Sequence, residues 1–337
     1  MSAILEVKNL EKKFGDFAAV KSINFAVEEG EVFGLLGPNG AGKTTTISMA
    51  TGVMEPSSGS VHIGNYDIVT DPKEAKRLTG LVPQDLALYP TLSARTNLTF
   101  FGKIYGLHGK DLKERVDDVL HIVALTDRAD EPIAKYSGGM KRRVNIAAGL
   151  VHQPRLLFLD EPTVGVDPQS RNQIFESVMR LNKERGMSII YTSHYMEEVE
   201  LLCNRVAIVD EGKIIAIDTI KNLIGMIGGG VVQVGLPFVD RQLLQSLAML
   251  PAVKDACLDA PMSLDVRERE ALFDAAEGEA SAADVFVVKI LTKNTQQAIV
   301  NVIEYLGEND LSIQSLNILE PNLETVFLHL TGKKLRE

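Results

Sequence analysis

The stretch Gly37-Pro38-Asn39-Gly40-Ala41-Gly42-Lys43-Thr44-Thr45 constrains this chain more than any other. It has the phosphate-loop spacing: a glycine, four residues, then Gly-Lys-Thr. The apolar run before it, Val32-Phe33-Gly34-Leu35-Leu36, predicts a buried strand, and residues 44–51 predict the helix that leaves the loop. Strand, loop and helix in that order give the pattern its mechanics. Glycines let the backbone turn its N–H groups toward one point, and the helix N-terminus adds partial positive charge there. Lys43 is placed to reach the β- and γ-phosphates of a nucleotide, and Thr44 to ligate Mg²⁺. The motif alone specifies a nucleoside triphosphate and leaves open what its energy drives.

A chain of 337 residues has room for about two domains. Its 35 basic and 45 acidic residues leave a net charge of −10, which disfavours a general nucleic-acid surface. No apolar stretch approaches the roughly 18–20 residues that span a bilayer. The N-terminus lacks the basic start and long apolar segment of a signal peptide. Cys203 and Cys257 suggest neither a disulfide framework nor a metal site, and Cys203 is expected to be a small core residue. These features predict a reduced, cytoplasmic, soluble protein.

From residue 4 to about 224, strand signals alternate with helical ones, which predicts a mainly parallel α/β core. Strands are expected at 4–7, 23–27, 32–36, 78–82, 156–159, 188–192 and 206–209, the last forming a hairpin with 214–217 across Asp210-Glu211-Gly212-Lys213. Residues 85–150 show helical periodicity, as in 112–123, and predict an inserted helical subdomain. The first domain is therefore placed at 1–226, and Gly228-Gly229-Gly230 marks its boundary. Residues 231–337 alternate as strand 231–236, helix 241–250, strands 253–258 and 285–291, helix 295–306 and strand 312–319. That order predicts a small α+β domain, possibly ferredoxin-like, closed by a helix at 322–330. Residues 267–284 read as a solvated loop or short helix. This tail carries 9 basic and 16 acidic residues, most of the chain's net negative charge.

Leu156-Leu157-Phe158-Leu159-Asp160-Glu161 is an apolar strand ending in two acids. Asp160 is placed to hold Mg²⁺. Glu161, one residue on, points differently and can face an attacking water as general base. In Tyr136-Ser137-Gly138-Gly139-Met140, Ser137 is a good helix cap and two glycines expose backbone N–H groups. This is a second anion site in a chain with one phosphate loop, which suggests a second subunit.

The phosphate loop, Gln84, Ser137-Gly138-Gly139, Asp160-Glu161 and His194 occur in the order and spacing of an ATP-binding-cassette (ABC) ATPase, which residues 1 to about 225 resemble. The resemblance implies a P-loop NTPase fold of ABC type and a head-to-tail homodimer with two ATP sandwiched between the subunits. Residues 37–45 would hold ATP on one side, while Ser137 and Gly139, with Gly138 between them, would close on it from the partner. It further implies that Gln84 senses Mg²⁺ and the partner, that His194 contacts the γ-phosphate, that Asp167 lies at the dimer interface, and that Phe14 stacks on adenine. Tyr136 and Met140 replace the outer residues of the usual Leu-Ser-Gly-Gly-Gln signature, and Val164 and Val166 depart from the usual D-loop. The signature Tyr-Ser-Gly-Gly-Met-Lys-Arg-Arg is similar to that of multidrug, daunorubicin-type and sodium exporter ATPases. Leu319-Glu320-Pro321-Asn322-Leu323-Glu324-Thr325-Val326-Phe327-Leu328 looks like the C-terminal element of the same branch.

The expected function is an ATP-hydrolysing subunit that powers separate permease subunits of an exporter. It would sit on the cytoplasmic face of the membrane through that permease, which is expected to dock on the apolar, aromatic segment 86–101. No nucleic-acid partner is expected. An ABC importer ATPase and a soluble ABC ATPase acting on nucleic acid or ribosomes are the alternatives.

Overall fold

Three strands buried at every residue mark the centre of the first unit: β3 (Val32–Leu36), β7 (Leu156–Asp160) and β8 (Ser188–Ser193). Strands buried on both faces belong to a parallel sheet covered by helices. The computed structural model describes residues 2–226, 229–258, 286–319 and 321–331. It divides into two compact units after Ile220.

In the first unit the central sheet runs β10 (Lys213–Thr219), β9 (Arg205–Asp210), β3, β8, β7, β6 (Thr79–Val82). Every neighbouring pair is parallel except β9–β10. That pair is the expected hairpin. Glu211 and Gly212 turn it with φ of 47° and 78°, the positive angles a two-residue turn of right-handed strands requires. The strand expected from residue 78 starts one residue later, because Leu78 ends helix α2 (Pro72–Leu78).

The strands at 4–7 and 23–27 do not join this sheet. They lie in β1 (Ala3–Phe14) and β2 (Phe17–Glu28), which form a separate antiparallel sheet in the order β2, β1, β4 (Ser58–Ile63), β5 (Tyr66–Asp67). The reason is local. Phe14 pairs directly with Phe17 across Gly15 and Asp16, and so short a connection can only join antiparallel strands. β4 is rich in Ser, Gly and His, so neither it nor β5 stands out by apolar periodicity.

Helices α3 (Ala94–Ile104), α4 (Gly109–Ile122) and α5 (Gly138–Leu150) occupy the inserted stretch. Ser93 caps α3 and Ser137 caps α5, each accepting a hydrogen bond from the third residue beyond it. The last large helix of the unit, α6 (Pro168–Arg185), follows β7 and is capped by Asp167.

The second unit has an antiparallel sheet in the order β12 (Val253–Leu258), β13 (Phe286–Thr292), β11 (Val231–Leu236), β14 (Ser315–Leu319). Helices Arg241–Ala248 and Thr295–Glu308 supply Leu243, Leu247, Ala298, Val302 and Leu306 to a core with Val232, Val234, Val288 and Ile290. We read this as a ferredoxin-like arrangement of two split βαβ units. Helix Leu323–Thr331 follows β14. The loop or short helix expected at 267–284 lies outside the described residues. Among the described residues no helix is long and apolar enough to cross a membrane.

Candidate functional site

The phosphate loop leaves β3 at Gly37 and enters helix α1 (Lys43–Ala50) through Gly42. Both glycines are sterically required. A Cβ on Gly37 would lie 2.2 Å from the Val209 carbonyl oxygen, and one on Gly42, whose φ is 101°, would lie 2.7 Å from that of Ala19. No side chain caps the N-terminus of α1. Its first N–H groups are thus left to a ligand, and the donor set suits phosphate.

Lys43 is nearly buried. Its Nζ donates to the carbonyls of Gly37 at 2.8 Å and Pro38 at 3.1 Å. It also stands 3.0 Å from Glu161 Oε1. Register explains the meeting. Leu36 at the end of β3 pairs with Ser193 of β8, and Thr192 of β8 pairs with Asp160 of β7, so loop, acids and His194 emerge at one end of the sheet.

Asp160 Oδ1 accepts from Thr192 Oγ1 at 2.8 Å and Thr44 Oγ1 at 3.3 Å. Burial pushes the Asp160 carboxyl above the ordinary range, against the pull of those two hydrogen bonds. Thr44 and Asp160, an oxygen pair already facing one another, are suitable hard ligands for Mg²⁺.

Glu161 has a left-handed backbone, φ 44°, unusual for a residue with a side chain. Its N–H donates to Thr192 Oγ1 at 2.8 Å, which holds the turn. The turn directs its carboxylate back between Lys43 and His194, whose Nδ1 lies 3.3 Å from Glu161 Oε2 without a hydrogen bond. Lys43, Thr44, Asp160, Glu161 and His194 therefore form one cluster.

The other residues singled out in the sequence lie elsewhere. Ser137 Oγ accepts from Met140 N at 3.2 Å at the head of α5. Gly139 presses on α6: a Cβ there would fall 2.1 Å from Cβ and Oγ of Ser170. Asp167 Oδ1 accepts from the Ser170 amide at 2.9 Å, and that bond holds the Asp167 carboxyl below its ordinary range. The glycine signature and the D-loop thus meet at Ser170. Phe14 is half exposed at the tip of the β1–β2 hairpin, with Lys12 Nζ 5.4 Å from its ring centre. Gln84 is exposed. Its loop is clamped to α5 by Asn145, which donates to the Pro83 carbonyl at 3.3 Å and accepts from Ala87 N at 3.2 Å. Arg142 adds a bond to the same carbonyl at 3.0 Å. Among the described residues no hydrogen bond or ion pair joins Phe14, Gln84, Ser137, Gly138, Gly139 or Asp167 to Lys43, Asp160, Glu161 or His194.

Several participants escaped the sequence reading. Thr192 could have been found as a hydroxyl ending an apolar strand. Asn145 could have been found as the one amide in an apolar helical run. Glu198 shares a helical stripe with Val199 and Leu202, a signal of burial that its neighbour Glu197 lacks.

The family profile described as ABC transporter matches residues 20–164. The chain is 44% identical over 335 residues to the linearmycin resistance ATP-binding protein LnrL of Bacillus subtilis (strain 168), covering 99% of this chain and 100% of that one. It is 36% identical over 340 residues to Nod factor export ATP-binding protein I of Cupriavidus metallidurans, covering 100% of both. Among solved structures, it resembles a dimeric post-hydrolysis state of an ATP-binding cassette bound to ADP and Pi. The TM-score is 0.58 and the identity 26%, over 64% of this chain and 98% of that one.

Proposed function

We propose that this chain, which belongs to the ABC transporter ATP-binding family, powers a separate membrane permease of an exporter. As a member of that family it binds and hydrolyses ATP. The observation that carries the finer reading is a division within the chain. Lys43, Thr44, Asp160, Glu161 and His194 cluster at one sheet end, while Ser137 to Gly139 stand at the head of α5 with no bond to them. Each protomer would hold one half of a site, and a second copy would supply the other. The dimeric state of the similar cassette favours this arrangement.

In this reading the uncapped N–H groups of α1 and Lys43 grip the phosphates of ATP, and Phe14 stacks on its base. Thr44 and Asp160, with Gln84, would hold Mg²⁺, which when bound neutralises charge on the β- and γ-phosphate oxygens. Glu161 takes the proton of the attacking water, and His194 beside it contacts the γ-phosphate. Ser137 and Gly139 of the partner close the site, with Asp167 at the interface.

The permease would dock on the segment after Gln84. Leu86, Tyr89 and Phe100 are all exposed there, and Tyr89 meets Phe100 edge to face at 5.2 Å. Because Asn145 ties Pro83 and Ala87, on either side of Gln84, to α5, pressure on the adjoining segment would reach Gln84 and the signature helix together. The names of the relatives favour export and drug resistance, and the chain would work at the cytoplasmic face of the membrane. The test is purification with its membrane partner and transport in inside-out vesicles. ATP-dependent accumulation of substrate supports export. Failure to associate with any membrane protein, or ATP-driven movement in the opposite sense, refutes it.

A further inference from the structure

Among the described residues, the most heavily bonded buried carboxylate outside the cluster is Glu198, in helix α7 (Met196–Leu202) and 2% exposed. Three hydroxyls converge on it. Thr163 Oγ1 lies 2.8 and 2.9 Å from its two oxygens, and Tyr191 OH and Ser193 Oγ each donate to Oε2 at 2.9 Å. The Arg171 guanidinium, from the first turn of α6, is 3.7 Å away.

These partners bracket the hydrolytic residues. Thr163 lies two residues beyond Glu161, in the strained turn. Ser193 directly precedes His194, and its Oγ also accepts from Tyr195 N at 2.9 Å, so the bonds run around both sides of His194. The Ser193 carbonyl accepts from Gly37 N at 3.4 Å, at the root of the phosphate loop. The Arg171 guanidinium stands 5.4 Å over the Tyr195 ring, which packs 4.1 Å from the His194 ring. A carboxylate is acceptor-only and so can serve all the hydroxyls together.

We propose that Glu198 is a positioning residue for ATP hydrolysis: through Ser193 and Thr163 it sets His194 and the Glu161 turn against the phosphate loop. The inference rests on the roles given above to Glu161 and His194. Glu198→Gln keeps the shape but turns one acceptor into a donor, so at least one hydroxyl loses its partner. Ser193→Ala cuts only the arm to His194.

The experiment compares folded Glu198→Gln, Ser193→Ala and His194→Ala chains with the wild type, with their permease where hydrolysis requires it. For the first two, ATP affinity is expected to hold within about threefold while kcat falls by about tenfold or more, the pattern of a lost transition-state interaction. The imidazole resonance of His194, one of six histidines and assigned from His194→Ala, is expected to shift in both. The double variant is expected to be no slower than Glu198→Gln alone, because both cut one path. Wild-type kcat with an unmoved His194 resonance in either single variant overturns the proposal. Parallel loss of affinity and kcat, in step with the unfolded fraction, overturns it too, since that is a merely structural role. If Glu198→Gln fails to fold, Ser193→Ala carries the same two readouts. If His194→Ala itself turns over at the wild-type rate, the role of His194 fails and this inference with it. An inactive His194→Ala beside fully active Glu198→Gln and Ser193→Ala sinks the inference alone.

Discussion

Glu161→Gln separates the charge of Glu161 from its shape. Lys43 and Glu161 are 4% and 6% exposed and stand 3.0 Å apart. At that distance their direct attraction is about 5 kcal/mol for an effective dielectric constant near ~20. Desolvating two ions costs several kcal/mol each, so the net value of the pair is small. What the substitution costs therefore depends on what Lys43 retains. It retains the Gly37 and Pro38 carbonyls at 2.8 and 3.1 Å, and the amide oxygen of glutamine can replace the lost carboxylate oxygen. A stability loss of about 1–2 kcal/mol follows, which is a fall of roughly 2–8 °C in Tm for a domain of this size. Glutamine keeps the same left-handed backbone cost, so that term cancels. Hydrolysis responds on another scale, because a general base contributes about 10²- to 10⁴-fold. Phosphate release should thus drop by about 100-fold or more in a protein that still binds ATP, and ATP should trap it as a dimer in size-exclusion chromatography. A folded variant that releases phosphate at the wild-type rate and stays monomeric with ATP would show that Glu161 is not the base.

Gly139→Ala places a methyl 2.1 Å from Ser170, and overpacking of that kind costs about 1–3 kcal/mol. Adding Ser170→Gly should restore the melting temperature but not ATP hydrolysis; restoration of both means that Gly139 serves packing alone. Burial raises the Asp160 carboxyl above its ordinary 3.8 in the folded chain. A raised carboxyl stabilises the fold while protonated, and that contribution is lost as pH rises through the folded value. Asp160→Asn should therefore raise Tm near neutral pH, with the gain vanishing as pH falls toward 3.8, while hydrolysis is lost. Calorimetry at both pH values checks this, and an unchanged Tm at neutral pH contradicts it. Phe14→Ala should remove about 1–3 kcal/mol of stacking, weakening nucleotide binding roughly 5- to 150-fold for ATP and GTP alike. Titration with a fluorescent nucleotide decides it, and unchanged affinity places the base elsewhere.

About half of the site is legible in the sequence. Glycine spacing, the apolar run into the loop and the two acids ending a second apolar run are local signals, readable because strand and turn chemistry act over a few residues. Gln84 and His194 came only from resemblance to a family, since one exposed glutamine and one histidine after a strand carry no chemistry by themselves. Residues 4–7 and 23–27 are expected in the mainly parallel core but lie in an antiparallel sheet, and its strands β4 and β5 carry no signal in the sequence. A buried strand looks the same by periodicity whether its neighbour is parallel or antiparallel, and only the two-residue turn at Gly15-Asp16 betrays the difference.

What the sequence alone determined is that this chain grips a triphosphate: the phosphate loop works through its own backbone and needs no distant partner to be recognised. Tertiary structure decided which residues share that site. β3, β8 and β7 lie side by side, so residues far apart in sequence meet at one sheet end, where Lys43 faces Glu161 and Glu161 faces His194. Structure also decided that Glu198 is buried among three hydroxyls. Burial and register follow from the packing of whole elements, and packing is a property of the assembled chain rather than of any segment.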